Sequence, residues 1–176
     1  MIDRPHLASR RARRFRWVMI AAWAGLIFYL STSGFGASFT KWLLYVILDL
    51  LRVTVSSQTF EVLHVCLRKL AHMTEYGVFS LLIYAGFLET QDFEWRPRLA
   101  VGSIAIAALY SLTDEYHQSF VAGRTPSPVD CGIDTIGASL AMMIVLISDR
   151  WLQMIRRSKA AAAASAAPSA NGALGL

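Results

Sequence analysis

Long apolar segments alternate with short polar blocks along the chain, and this pattern predicts membrane-spanning helices. The first apolar segment, residues 17–40, has no formally charged residue, and its most apolar part ends at Leu30 before the sequence STSGFG. Three later apolar segments occupy residues 76–88, 99–113 and 135–148. A helix needs about 20 residues to cross the hydrocarbon core of a bilayer. Because the later segments are shorter than this, each predicted helix must extend into its polar neighbours.

Extended in this way, the pattern predicts an all-α integral membrane protein with four transmembrane helices, at about residues 17–36, 70–88, 99–118 and 130–148. The region between the first and second spans is also apolar, but Asp49 and Arg52 interrupt it. We therefore interpret residues 41–53 and 60–68 as helices that lie at the outer membrane interface or dip into it.

The composition supports a membrane location. Hydrophobic residues make up 55% of the 176 residues and charged residues only 16%, whereas a soluble domain has about 25% charged residues. Much of the basic charge is concentrated in the N-terminal segment, residues 1–16, and at the start of the C-terminal tail, residues 149–176, which continues as an Ala/Ser-rich stretch. Basic clusters beside apolar helices are typical of cytoplasmic flanks. They favour membrane lipids as partners and argue against nucleic acid.

The distribution of Lys and Arg determines the predicted orientation. With four spans in a membrane domain of residues 17–148 and a cytoplasmic N-terminus, 12 of the 17 basic residues lie in the cytoplasm and 5 outside. A fifth span at residues 42–55 would change this division to 10 and 7, which fits the positive-inside rule less well. We therefore predict a multi-pass protein of the bacterial cytoplasmic membrane with both termini in the cytoplasm.

This orientation brings three polar blocks to the outer side of the membrane. They are KLAHMTEY at residues 69–76, TDEYHQ at residues 113–118 and DCGID at residues 130–134. Residues three or four positions apart share one face of a helix, and small residues let neighbouring helices approach closely. The spacing predicts three such sets: Lys69, His72, Glu75 or Tyr76, and Phe79; Asp114, His117 and Gln118; and Asp130 and Asp134, followed by the small residues Gly137 and Ala138.

The motifs KLAHMTEY, LTDEYHQSFVAGRTPSPVD and DTIGASL together resemble the VanZ-like family of small bacterial membrane proteins, over residues 69–146. The family takes its name from a protein linked to low-level resistance to the glycopeptide teicoplanin, which implies action at the cell envelope. The chain departs from the family pattern at Asp134, where Asn is common, and at Phe79, where Leu is frequent. The resemblance assigns the characteristic polar positions to Lys69, His72, Glu75, Tyr76, Asp114, Glu115, His117, Gln118, Arg124 and Asp130.

The predicted outer site holds more negative than positive charge. Five carboxylates accompany two permanent cations, Lys69 and Arg124, which leaves a charge of −3 when His72 and His117 are neutral. Such a charge is unstable in a low-dielectric environment. Protonated carboxylates, charged histidines, exposure to water or a bound divalent cation could each relieve it. Imidazoles and carboxylates together could hold Zn²⁺, Mn²⁺ or Mg²⁺, but the spacing identifies no particular metal.

The sequence leaves three functions open, and two of them do not involve catalysis. In the first, the outer site binds an anionic envelope lipid or another envelope ligand, which could affect susceptibility to glycopeptide antibiotics. In the second, the polar residues only hold the four helices together, since buried charges are normally paired. The candidate binding residues are Lys69, Tyr76, Glu115, Gln118, Arg124, Asp130 and Asp134.

The third function is catalysis by a membrane-embedded hydrolase or transferase on a lipid-linked precursor. A histidine would act as acid or base, with or without a metal, and Arg124 would contact a phosphate. The candidate catalytic residues are His72, Glu75, Asp114 and His117. The substrate and the oligomeric state are not determined by the sequence.

Two further expectations concern residues outside the motifs. His6 and His64 share no stripe with the polar blocks, and we expect them to be interfacial or solvated. Cys66 and Cys131 are expected to be free thiols, because helix axes are about 8–10 Å apart and most facing pairs miss the Cα separation of about 4.4–6.8 Å that a disulfide needs.

Overall fold

The computed structural model describes residues 4–32, 37–88, 95–121 and 127–166. Within these ranges the chain is helical and contains no strand, as the sequence predicted. Both cysteines are free thiols; Cys66 is exposed and Cys131 is buried. The five helices are α1 (Arg4–Leu30), α2 (Ala37–Leu50), α3 (Ser57–Phe87), α4 (Pro97–Gln118) and α5 (Pro128–Ala166).

Helix α1 includes part of the basic N-terminal segment, because it begins at Arg4 and continues without a break to Leu30. A turn follows in which the Thr32 hydroxyl donates a hydrogen bond to the carbonyl oxygen of Tyr29 (2.7 Å). The helix therefore ends where the apolar run meets STSGFG. The last four residues of the predicted first span, 33–36, lie outside the described residues.

Helix α3 corrects the prediction of a separate interfacial helix at residues 60–68. The structure has one helix of 31 residues instead of an interfacial helix followed by a span. It begins at the N-cap Ser56, whose hydroxyl accepts a hydrogen bond from the backbone N–H of Thr59 (3.2 Å). No Gly or Pro occurs between this cap and Gly77, so nothing breaks the helix at the predicted boundary.

Helix α2 packs against the first half of α3, and two polar contacts join them. The Lys41 ammonium lies 2.6 Å from a carboxylate oxygen of Glu61. Thr40 Oγ1 and His64 Nε2 share a hydrogen bond of 2.7 Å. The expectation that His64 is solvated is wrong, because only 5% of it is exposed. The imidazole is covered because α2 folds back onto α3. His6 lies in the first turns of α1, where only the backbone is described.

Small residues let α3 and α5 approach closely, as predicted for Gly137 and Ala138. A Cβ added to Gly137 would lie 2.7 Å from the Cα of Met73, a distance that real structures do not tolerate. One turn further along, the Ser80 hydroxyl donates a hydrogen bond across the contact to the carbonyl oxygen of Ala138 (3.2 Å). We call this contact the α3/α5 seam. It fixes the position of the polar residues that lie above it on both helices.

Two buried apolar clusters fill the bundle below these polar residues. The cluster nearer to them contains Tyr76, Phe79 and Ala138 with Ile27 of α1. The other is centred on Tyr84 and Met142, towards the opposite end. The polar ends of α3, α4 and α5 are thus gathered at one end of a common core.

Among the described helices, α5 alone is long and apolar enough to cross a membrane, over Pro128–Ala163. In α3 and α4 the apolar stretches are shortened by charged residues near one end, as the sequence indicated. Large apolar side chains are nevertheless exposed on several helices, including Val101 (67%), Leu109 (63%) and Ile144 (63%). Extensive exposed apolar surface is typical of contact with lipid or with another protein. Four membrane crossings stay a prediction.

Candidate functional site

A buried chain of polar side chains joins α3, α4 and α5 directly above the seam. The Nδ1 atom of His72 on α3 faces Asp134 Oδ1 on α5 at 3.5 Å. The Ser111 hydroxyl on α4 donates a hydrogen bond to the other oxygen of Asp134 (2.6 Å). Only 2% of the Asp134 side chain is exposed. A carboxylate buried to this degree needs partners, and here the partners come from two other helices.

A second buried group joins α4 to the end of α1. The Ser31 hydroxyl donates a hydrogen bond to Asp114 Oδ2 (2.8 Å), and the Gln118 amide donates to the same oxygen (2.9 Å). Asp114 and Gln118 are one turn apart and share a face, as their spacing predicted. Ser31 was missed by the sequence analysis, although it is the first polar residue after the apolar run of α1.

Tyr76 is completely buried beside these two groups. Its hydroxyl oxygen has no hydrogen-bond partner among the described residues, and its ring makes an edge contact with Phe79 at 6.5 Å. Four other buried atoms of these groups make no hydrogen bond to the described residues: Asp114 Oδ1, Gln118 Oε1, and His72 Nδ1 and Asp134 Oδ1, which face each other at 3.5 Å. Buried polar atoms usually make hydrogen bonds. These atoms at this end of the bundle could therefore each form one more.

Two further carboxylates hold the start of α5. Lys69 lies 3.0 Å from Asp130 Oδ1, and 41% of the lysine side chain is exposed. Glu115 accepts a hydrogen bond from the backbone N–H of Ser127, just before α5 begins (2.7 Å). Lys69 and His72, one turn apart on α3, therefore face Asp130 and Asp134, one turn apart on α5.

The predicted residue His117 makes none of these contacts. The ring of His117 packs against Phe28 of α1, with ring centroids 4.3 Å apart, and its Nδ1 atom is buried without a partner among the described residues. Arg124 lies outside the described residues.

The larger open space at this end lies on the opposite side of α3 from the seam. A cavity of about 260 Å³ is enclosed by the end of α1, by α2 and by α3, and we call it the outer cavity. Its polar lining comes from Ser31, Thr40, Arg68, His72 and Glu75. Arg68 and His72 also line a smaller cavity of about 130 Å³ beside Lys69 and Asp130. The sequence analysis missed Arg68, although it lies one turn before His72 on the same helix.

An apolar groove continues from the outer cavity between α1 and α3. We call this space the side groove, and its volume is about 470 Å³. Four residues line both spaces: Leu30, Leu67, Ala71 and Glu75. Where the groove extends beyond them, Trp23 lines it, and its indole N–H donates a hydrogen bond to the carbonyl oxygen of Glu75 (3.0 Å).

The described residues include no group of three or more His, Cys, Asp or Glu side chains placed to hold a metal ion. The closest approach is the pair formed by His72 and Asp134, whose carboxylate already accepts from Ser111.

The motif order, the seam and the polar residues above it can be compared with known families. A family model described as VanZ/LLP1 matches residues 15–149. This chain belongs to the VanZ/LLP1 family. No curated protein and no solved structure matches it.

The VanZ/LLP1 match is wider than the resemblance found in the motifs alone, because it begins in α1 and includes α2. The family region therefore contains both walls of the side groove and the helix that covers the outer cavity. In this VanZ/LLP1 chain some predicted polar residues join helices, such as Asp114 and Asp134, and others line a cavity, such as Glu75, while His72 does both.

Proposed function

We propose that this VanZ/LLP1 protein spans the bacterial cytoplasmic membrane and binds a phosphate-bearing envelope ligand in the outer cavity. The observation that carries the proposal is the position of Arg68 in the cavity wall. Among the described residues, Lys41 pairs with Glu61 and Lys69 pairs with Asp130, whereas Arg68 enters no ion pair. A guanidinium group can donate two parallel hydrogen bonds to a phosphate.

His72 supports the same function from the next turn of α3. Its side chain is 12% exposed and lines the outer cavity, while Asp134 lies at its Nδ1 atom. A carboxylate at one ring nitrogen orients the imidazole. Glu75 contributes one negative charge to the same wall, so we expect a ligand with a single anionic group together with hydroxyl or ammonium donors.

The proposed orientation follows from the distribution of basic residues. Four crossings would place the outer cavity on the extracytoplasmic side and the C-terminal part of α5 in the cytoplasm. A reporter fused after Lys159 and one inserted before Arg96 should both report a cytoplasmic position. An extracytoplasmic position at either site would contradict this topology.

Binding can be measured on the purified protein in detergent with dioctanoyl phosphatidylglycerol as the probe. We expect Arg68→Gln to weaken binding at least tenfold, because a charge-assisted hydrogen bond contributes about 1.5–3 kcal/mol. Arg52→Gln is the matched control, since Arg52 is exposed, follows α2 and does not line the cavity. Equal binding by the wild type and Arg68→Gln would contradict the proposal.

Cells provide a second readout. If ligand binding affects susceptibility to glycopeptide antibiotics, Arg68→Gln and His72→Gln should remove the effect at unchanged protein level in the membrane. A folded His72→Gln protein with full activity would favour the purely structural function for this residue.

One observation favours acid/base catalysis as a second candidate function. His72 combines a carboxylate at Nδ1 with a position in a cavity wall, an arrangement that can move a proton at the other ring nitrogen. Catalysis predicts that His72→Gln still binds the phosphate-bearing ligand but no longer converts a lipid-linked substrate. Loss of binding and conversion together would favour a binding function alone.

A further inference from the structure

We infer that the ligand of the outer cavity is a membrane lipid that enters sideways from the bilayer, with its phosphate at Arg68 and an acyl chain in the side groove. The inference rests on the proposed function, because it needs an anion at Arg68. It adds the class of ligand and the direction of entry.

The first support is the continuity of the two spaces. Leu67 and Ala71 on α3 and Leu30 on α1 line both the outer cavity and the side groove. A molecule that occupies both would meet a charged guanidinium at one end and apolar side chains at the other. A phospholipid has this distribution of polarity, whereas a soluble sugar phosphate has no part that would gain from the groove.

The second support is the length and depth of the groove. Along α1 its lining runs from Leu30 to Trp23, seven positions apart, which corresponds to about 10 Å of helix. In the proposed orientation this direction leads from the outer surface towards the bilayer centre. An acyl chain whose headgroup is held at Arg68 would follow the same direction.

The third support is the position of α2. Its residues Phe39, Thr40 and Leu43 close one side of the outer cavity, and the contacts of Thr40 with His64 and of Lys41 with Glu61 hold the helix there. The outer side of α2 exposes Trp42 (59%) and Tyr45 (64%). Such aromatic residues favour the membrane interface. With α2 in this place, the side groove offers a route to Arg68 from the bilayer.

The test compares dioctanoyl phosphatidylglycerol with glycerophosphoglycerol, which has the same headgroup but no acyl chains. We expect the wild type to bind the headgroup alone at least tenfold more weakly than the lipid. Thr74→Trp should reduce lipid binding at least fivefold, because Thr74 lines the side groove but not the outer cavity. The same substitution should leave binding of the headgroup alone unchanged.

Thr113→Trp is the matched control. Thr113 is also an exposed helical threonine whose hydroxyl donates to a backbone carbonyl of its own helix, but it lies on α4 and lines neither space. Its replacement should not change lipid binding. Leu70→Trp, at another position of the groove wall, provides a second variant in case Thr74→Trp does not fold.

The outcomes separate this inference from the proposed function. Equal affinity for the headgroup and the lipid, lost in both cases in Arg68→Gln, would overturn the lipid inference and leave the proposed function standing. Lipid binding that is unaffected by Thr74→Trp and Leu70→Trp would also overturn the lipid inference. Failure of both probes to bind the wild type would overturn both.

Discussion

The two sides of α3 differ in how closely they are packed. On the α5 side, Gly77 and Gly137 bring the helix backbones into contact, and buried polar groups meet across the interface. On the α1 and α2 side, the same helix borders cavities of about 260 and 470 Å³. One helix thus combines a close interface with the wall of the proposed binding site, and His72 lies between the two sides.

Substitutions at the seam should therefore reduce stability, whereas substitutions in the cavity walls should reduce binding with little change in stability. This difference arises because a packed interface has no room to adjust, while a side chain that faces open space can be replaced at low cost.

The largest loss of stability is expected for Gly137→Leu. The added side chain would meet the backbone of Met73, which cannot move without separating α3 from α5. We expect a loss of about 3 kcal/mol or more, at the upper end for overpacked interiors, measured by denaturant unfolding in detergent. Gly132→Ala on the same helix has open space at the new Cβ and should be neutral or stabilising. Equal behaviour of the two variants would argue against a close seam.

Asp134→Ala is expected to have the next largest effect. It would leave the Ser111 hydroxyl and His72 without their buried partner, at a cost of about 2–4 kcal/mol. Asp134→Asn is the matched control, because an amide keeps the shape and can accept from Ser111. It is also the residue that the family pattern has at this position. A large loss of unfolding free energy in Asp134→Asn would show that the negative charge itself is required.

Thr40→Val tests the weaker attachment of α2 on the open side of α3. The substitution removes the hydroxyl that shares a hydrogen bond with the buried His64, and we expect a loss of about 1 kcal/mol. Proteolysis should increase in the segment between α2 and α3 while the rest of the bundle stays protected. A loss as large as that of Asp134→Ala would mean that the two sides of α3 are equally important for stability.

The smallest expected effect depends on pH and concerns the ion pair of Glu61 with Lys41. The hydrogen bond from the ammonium group lowers the pKa of Glu61 below its usual range. A carboxylate with a lowered pKa in the folded state stabilises the fold at neutral pH, and this contribution is lost as the pH falls through the folded pKa. The stability difference between the wild type and Glu61→Gln should therefore be small at pH 7 and disappear in acid. A difference that grows in acid would contradict this.

The sequence predicted which polar residues share one face of each helix, because helical periodicity alone determines this. Lys69 and His72 lie on one face of α3, Asp130 and Asp134 lie one turn apart on α5, and small residues below them let the helices meet. Which helices pair, and in what register, is not fixed by this periodicity, and the structure supplies the pairing of α3 with α5. Helix α3 was predicted as two pieces because the span was given only the length of a bilayer crossing, about 20 residues, although no Gly or Pro separates it from residues 60–68.

The residues that the sequence analysis missed depend on contacts between distant segments. Ser31 and Asp114 are 83 positions apart, and a single serine at the end of an apolar run carries no pattern that points to a partner. Arg68 became a candidate only when α2 was found to enclose a cavity in front of it. His64 was expected to be interfacial or solvated, and its burial could not be predicted for the same reason, since it depends on where α2 folds.

Photo-crosslinking tests the central claim most directly. A benzoylphenylalanine at Leu67, which lines both the outer cavity and the side groove, should crosslink to anionic phospholipid in clear excess over its share of a mixed bilayer. The same probe at Leu109, an exposed position on α4, should yield lipids in proportion to the bilayer composition. The excess at Leu67 should disappear in Arg68→Gln. Identical lipid profiles at the two positions would contradict a lipid-binding site beside α3.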